Sequence, residues 1–261
     1  EFLHVGIAAL ATSYFKFFRE QLITDADVGR IVQDALYPHP PKYISDLELG
    51  FIYASASEKA RLGGDFLDVF EFSDGKTAFI VGDLSGHGLE AAAGSSMVRN
   101  LFRGFMRDGL DLKDTMQRLN RVLYEELETT QFATAITGTY DGSGTITLLN
   151  AGGPPPVIFG KTCELVEQSN LPLAVNLDVS YTSCEVELSI DGVFVVYTDG
   201  LSEARVGHDL FGEKRIMDAM MEAIEAPARG MAMHLEDQAI RHAKGKLQDD
   251  MAILVMRRLS S

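Results

Sequence analysis

Apolar residues recur along this chain in two different rhythms, and the change from one to the other divides it. Near the start Leu3, Ile7, Leu10, Tyr14 and Phe17 repeat every three or four positions, with Phe18 and Leu22 widening the stripe, which is the period of an amphipathic helix. Thr24 is placed to cap a second helix whose apolar side is Val28, Ile31, Val32, Ala35 and Leu36, and Pro38, Pro40 and Pro41 end it. From Glu48 onward, short apolar runs bounded by turn residues take over. The patterning predicts strands over 49–55, 66–72, 77–83, 132–140, 144–151, 157–159, 182–188, 193–197 and 251–257. Helices are predicted over 89–107, 112–128, 213–225 and 229–244, the first two forming a pair broken at Asp108-Gly109. Strands come in hairpins and helices in pairs, so the expected class is α+β, with antiparallel sheets carrying helices on their outer faces rather than βαβ winding.

A chain of 261 residues with 46% hydrophobic content can bury a full core. Its 38 acidic against 23 basic residues, a net charge of −15, speak against nucleic acid, which is gripped by Lys and Arg, and suit a cation, a protein or a small molecule. Cys163 and Cys184 have no metal-ligand or disulfide-framework spacing, so a reducing, cytoplasmic setting is expected. No uninterrupted apolar run reaches the length of a membrane span.

The unusual residues concentrate between Arg61 and Ala92. Ser73-Asp74-Gly75-Lys76 reads as the turn of a hairpin whose open ends carry Asp65, after Gly63-Gly64, and Asp83. One Asp beside a Gly is most often a solvent-facing turn residue. Here the hairpin brings two carboxylates side by side, and close carboxylates repel unless a cation lies between them. Two further acidic positions sit at strand ends: Asp199, followed by Gly200, and Asp249-Asp250 before the last strand. Acids converging from several strand ends make an oxygen-only site for hard cations such as Mg²⁺ or Mn²⁺, which keep open positions for water and substrate. Water shared by two such cations is activated near neutral pH, and a phosphoryl group suits such a pair, so metal-assisted hydrolysis of a phosphate ester is expected.

Gly86-His87-Gly88-Leu89-Glu90-Ala91 also satisfies a dinucleotide-binding pattern, but that reading needs a second, parallel strand ending in an acid about 20 residues on, where only a break between helices is found. His87 reads first as a local hydrogen-bonding residue of a glycine-rich turn, and Lys59 and Arg61 as solvated cations.

Gly63-Gly64-Asp65-Phe66, Gly82-Asp83-Leu84-Ser85-Gly86-His87-Gly88, Asn150-Ala151-Gly152, Tyr197-Thr198-Asp199-Gly200 with Glu203, and Asp249-Asp250-Met251 resemble, in order, the motifs of the metal-dependent serine/threonine protein phosphatases (PPM, type 2C-like), in their bacterial SpoIIE/RsbU-like branch. The resemblance implies a four-layer α-β-β-α sandwich of two antiparallel sheets flanked by helices, with an N-terminal helical extension. Residues 1–45 would be a helical connector or regulatory segment, and 46–261 the phosphatase domain. It further implies two Mn²⁺ or Mg²⁺ ions, with Asp83 bridging them, the carbonyl of Leu84 binding one, and Asp65, Asp199 and Asp249 completing the shells. Asp250 is the alternative to Asp249. The catalytic set would be Asp83, Asp65 and Asp199. The expected substrate is phosphoserine or phosphothreonine on a partner protein, a STAS-type anti-anti-sigma factor, in a stress-response signalling pathway. An upstream sensor domain and a homodimer formed through the helix at 2–22 are also expected. Ser85 stands where type 2C enzymes carry a histidine, and Gly152-Gly153 replaces the Gly-His of the branch. The competing class is a catalytically silent metal-binding module that signals by docking a partner.

Overall fold

The computed structural model describes residues 40–54, 63–72, 75–86, 88–160 and 163–260. The helices read at the N-terminus, together with Lys59, Arg61 and His87, lie outside the described residues.

One sheet has six strands in the order β1 (Tyr43–Ile44), β2 (Leu47–Ala54), β13 (Met251–Arg258), β10 (Val193–Tyr197), β7 (Val157–Phe159) and β8 (Cys163–Leu165). The other has five, β3 (Asp65–Glu71), β4 (Thr77–Leu84), β5 (Ala133–Tyr140), β6 (Thr145–Ala151) and β9 (Cys184–Glu187). Every pairing between neighbouring strands is antiparallel. β4 therefore has antiparallel partners on both sides, and the dinucleotide reading, which requires a parallel crossover, falls away.

The side-chain alternation of these strands shows why the sequence carries near-continuous apolar runs in antiparallel sheets. Leu67, Val69, Phe79 and Val81 of one sheet meet Phe194, Val196, Ala252 and Leu254 of the other in a closed inner layer. The intervening residues point outward and are buried as well. Phe66, Phe70 and Ile80 pack under α1 (Gly88–Arg107) and α2 (Leu112–Glu126), against Val98, Phe102, Met116 and Leu119. Val193, Val195, Ile253 and Val255 pack under α4 (Gly212–Ala223) and α5 (Ala228–His242), against Ile216, Met220, Met231 and Leu235. Both faces of each sheet are covered, so polar alternation would be penalised on either side. The result is the four-layer sandwich expected. Across its middle, Phe79 and Phe194 meet edge to face with centroids 6.0 Å apart, a contact of about 0.5–1.5 kcal/mol beyond its buried area.

On the outer side, Asp68 of β3 is almost fully buried and accepts two hydrogen bonds from Arg103 of α1, at 2.7 and 2.5 Å. The same guanidinium lies 4.5 Å from the Phe70 ring centroid. This clamp fixes the helix whose N-terminus follows the acidic hairpin.

The elements that patterning does not predict are all short. They are β1, β8, the two-residue strands β11 (Arg205–Val206) and β12 (Asp209–Leu210), and the helix α3 (Asp199–Ser202). None is long enough to display a period, and tertiary contact holds them. One changes the site: β10 stops at Tyr197, so Asp199 does not end a strand but opens α3, with Thr198 as its N-cap residue. Among the described residues no helix is long and apolar enough to cross a membrane.

Candidate metal centre

Asp65 and Asp83 are direct register partners across β3 and β4. Asp65 is the first residue of its strand and Asp83 the last but one of its own, so the hairpin holds the two carboxyl-bearing backbones in adjacent positions. Asp65 is 3% exposed. Its Oδ2 accepts a 2.8 Å hydrogen bond from Thr198 Oγ1, and Thr198 Oγ1 in turn accepts one of 2.8 Å from the backbone N–H of Ala252. The Thr198 side chain thus does not cap α3; it reaches across to the other sheet and orients Asp65.

Asp199 arrives as the first residue of α3, after β10, and Asp249 and Asp250 from the loop before β13. Burial, then the charges of Asp83, Asp250 and Asp199, push the Asp65 carboxyl well above the usual range, and Thr198 offsets this only in part. Burial, followed by Asp199, Asp249 and Asp250, raises Asp83 to about 8. Asp199 is raised by burial, then by Asp249 and Glu203. These mutual effects place Asp65, Asp83, Asp199, Asp249 and Asp250 around one region, with Asp250 toward Asp65 and Asp249 toward Asp199. Consistent with that, Asp250 Oδ2 lies where a side chain on Gly63 would begin, 1.7 Å from its Cβ position.

Two glycines make this closeness possible. A Cβ on Gly64 would fall 2.2 Å from the Leu84 carbonyl oxygen and 2.3 Å from Asp83 Oδ1, and one on Gly200 would fall 1.7 Å from the Asp250 carbonyl oxygen. Contacts that short exclude any side chain, so only glycine lets these segments pack. Gly64 is held in turn: its carbonyl accepts from the Leu84 N–H at 3.1 Å and from the buried Ser95 hydroxyl of α1.

The donor set suits a hard divalent cation: carboxylates and a backbone carbonyl, with like charges crowded and mostly desolvated. Among the described residues no three acidic, histidine or cysteine side chains close into a finished coordination shell. Burial first, and then the neighbouring carboxylates, disfavour the charged forms of Asp65, Asp83 and Asp199, and a divalent cation among them would offset both.

Sequence reasoning named every acid of this group but gave no role to Thr198 or Gln248. Thr198 stands in a recognised motif beside Asp199, but its use by Asp65 was not legible, because the partner is far away in the chain. Asn150, part of a recognised motif, serves locally: it donates from Nδ2 to the Gly153 carbonyl at 3.0 Å and accepts from the Gly153 N–H at 2.8 Å, folding the turn after β6. Ser85 receives a 2.9 Å hydrogen bond from the Phe132 N–H on its hydroxyl, and donates its own N–H to the Phe132 carbonyl at 2.9 Å.

The family model of Stage II sporulation protein E (SpoIIE) matches residues 73–259, most of the chain and all but the first acidic strand of the site. The chain belongs to the SpoIIE family. As a member of it, the chain is a PP2C-type protein phosphatase. Phosphoserine phosphatase RsbU of Bacillus subtilis is 21% identical to it over 259 residues, covering 97% of this chain and 76% of RsbU. The crystal structure of the RsbU and RsbW domains of Rv1364c from Mycobacterium tuberculosis superposes with a TM-score of 0.74 at 25% identity, over 83% of this chain and 61% of that one. The catalytic domain of the serine/threonine phosphatase PstP, solved with two manganese ions, shares the fold at a TM-score of 0.62 and 13% identity, over 82% of this chain and 99% of that one.

Proposed function

We propose that this SpoIIE-family domain hydrolyses phosphoserine or phosphothreonine on a folded partner protein, a STAS-type anti-anti-sigma regulator, using two Mn²⁺ or Mg²⁺ ions. The observation that carries this reading is the register pairing of Asp65 with Asp83, surrounded by Asp199, Asp249 and Asp250. In this reading Asp83, the Leu84 carbonyl, Asp65, Asp199 and Asp249 would hold the ions. When bound, the cations supply Lewis acidity and a nucleophile drawn from water. The chain's own part is positioning: Thr198 fixes Asp65, the glycine contacts fix Asp83 and Asp250, and the α3 backbone fixes Asp199.

A protein rather than a small phosphate ester is supported by the apolar surface beside the acids. Phe132 is 40% exposed and is tied by its backbone to Ser85, two residues past Asp83. Leu171 and Val175, also about half exposed, flank Leu173, which pairs with Ala133. Exposed apolar groups of this size next to a catalytic cleft fit a folded partner.

Because Tyr43–Ile44 is a strand of the six-stranded sheet, the boundary expected at 45/46 moves to before it, and we assign residues 1–42 to a connector that joins an upstream sensor domain and pairs with its own copy. A truncation that tests this by light scattering has to retain Tyr43–Ile44, because that strand is part of the six-stranded sheet.

The test of function is hydrolysis of para-nitrophenyl phosphate with millimolar Mn²⁺ and with excess EDTA, followed by a serine-phosphorylated STAS protein and its isolated phosphopeptide. Turnover that requires Mn²⁺, with the folded protein processed far faster than the peptide, is expected. Full turnover in EDTA overturns the metal-dependent reading, and equal kcat/KM for protein and peptide overturns the protein-docking part.

A further inference from the structure

A cleft walled by five carboxylates repels the dianion it is meant to receive, and the cations that neutralise the acids do not by themselves orient the phosphate's outer oxygens. A planar guanidinium at the rim would do both.

Most arginines with defined partners are committed elsewhere. Arg103 is spent on Asp68, Arg215 on Asp209 and the Leu210 carbonyl, Arg257 on the carbonyls of Ile224 and Ala226, and Arg258 on Asp46 and the Leu188 carbonyl. Arg205 differs in place and in partner. It lies three residues past the end of α3, and its Nη1 lies 3.7 Å from Oε2 of Glu203, an acid near enough to Asp199 to help raise its carboxyl. Its backbone N–H donates to Gln248 Oε1 at 3.2 Å, so the root of the side chain is tied to the residue immediately before Asp249-Asp250. It stands at the seam where the two acid-bearing segments meet, the seam that the Gly200–Asp250 contact closes. At 3.7 Å the pair with Glu203 is loose, and the Arg205 side chain is 44% exposed, so most of its donors remain available.

We infer that Arg205 positions the substrate phosphate at the mouth of the carboxylate cleft, on its Asp199/Asp249 side. This rests on the phosphatase reading for its substrate, but its geometry is independent of turnover. Glu203 holds the guanidinium near the cleft when no phosphate is present, and the phosphate, the better bidentate acceptor, takes its place. Arg205 is thus a substrate-positioning group that leaves the metal ligands untouched.

The test compares the unaltered protein with Arg205→Ala and Arg205→Lys, first by calorimetric titration of inorganic phosphate into Mn²⁺-loaded protein, then by para-nitrophenyl phosphate kinetics. Arg205→Ala is expected to weaken phosphate binding about tenfold, the loss of a charge-assisted hydrogen-bonded pair. KM should rise similarly, with kcat and the Mn²⁺ half-saturation within about twofold of the unaltered protein. Arg205→Lys should recover part of the affinity, since it restores the charge but not the fork. Phosphate affinity unchanged in Arg205→Ala overturns the proposal, and so does a loss that only tracks a weaker Mn²⁺ half-saturation, which would make the role structural. Absence of Mn²⁺-dependent hydrolysis in the unaltered protein, with phosphate binding still sensitive to Arg205, would count against the phosphatase reading while supporting the anion site.

Discussion

Thr198 Oγ1 and Asp65 Oδ2 lie 2.8 Å apart although the residues belong to different sheets. The same hydroxyl accepts from the Ala252 N–H, so a single side chain links β3 to the backbone of β13. Thr198→Val keeps the shape, removes the donor to Asp65 and leaves the buried Ala252 N–H unpaired. A loss of about 1–3 kcal/mol in stability is expected, with Mn²⁺ half-saturation weakened by about tenfold, as for other groups that orient a ligand. Urea melts and a metal titration of activity check this, and unchanged metal affinity would remove Thr198 from the site.

Asp83 provides a pH test in chelator. A carboxyl raised to about 8 in the folded protein, against about 4 in an unfolded chain, holds its proton more tightly when folded. Its stabilising effect is therefore complete below about pH 4 and is lost as the pH climbs through about 8. Asp83→Asn removes the titration and the repulsion together. In EDTA the variant should melt higher than the unaltered protein, with the gap widening from pH 5 to pH 8.5 to roughly 5 °C or more, while Mn²⁺-dependent hydrolysis falls by about a hundredfold or more. A gap that narrows with rising pH contradicts the shared-charge picture.

The adjacent pair Asp249 and Asp250 should separate on mutation. Asp249 acts on Asp199, whereas Asp250 places its carboxylate beside Gly63. Asp249→Asn should abolish metal-dependent activity, whereas Asp250→Asn, which keeps the side-chain shape against Gly63, should retain activity within about tenfold. Equal loss in both would place both acids in the metal shell.

Arg103 and Asp68 predict a stability effect distinct from catalysis. Arg103→Ala leaves the buried Asp68 carboxylate without its two hydrogen bonds and should cost about 3 kcal/mol. The double change Arg103→Leu with Asp68→Leu should recover much of this, because the acid that needs a partner is gone. Denaturant midpoints decide it.

The long elements among the described residues, and the acids that the structure brings together, were legible in the sequence for physical reasons that differ. Runs such as Val193–Tyr197 announce strands because both faces of the sheet are covered, and glycine beside aspartate announces a place where backbones crowd. What could not be read was anything set by distant partners. The two-residue strand Tyr43–Ile44 forms on the neighbouring β2 edge, and α3 forms where Thr198 has turned its hydroxyl away from capping. Arg205 carries no signal of its own in the sequence; its place is set by Gln248 and Glu203 on either side of it.

The order in which the strands enter the two sheets has a kinetic consequence. The chain passes from one sheet to the other between β2 and β3, β6 and β7, β8 and β9, and β9 and β10, and β13 closes the first sheet by inserting between β2 and β10. The central pairing of β2 with β13 therefore joins residues about 200 positions apart, a loop that must close before the sheet is continuous. Contacts this non-local make folding slow, and the acids beside β10 and β13 reach Asp65 only after that last insertion. The metal pocket is thus completed at the end of folding, so a newly made chain that stalls short of the closing strand would present open sheet edges and no phosphatase activity.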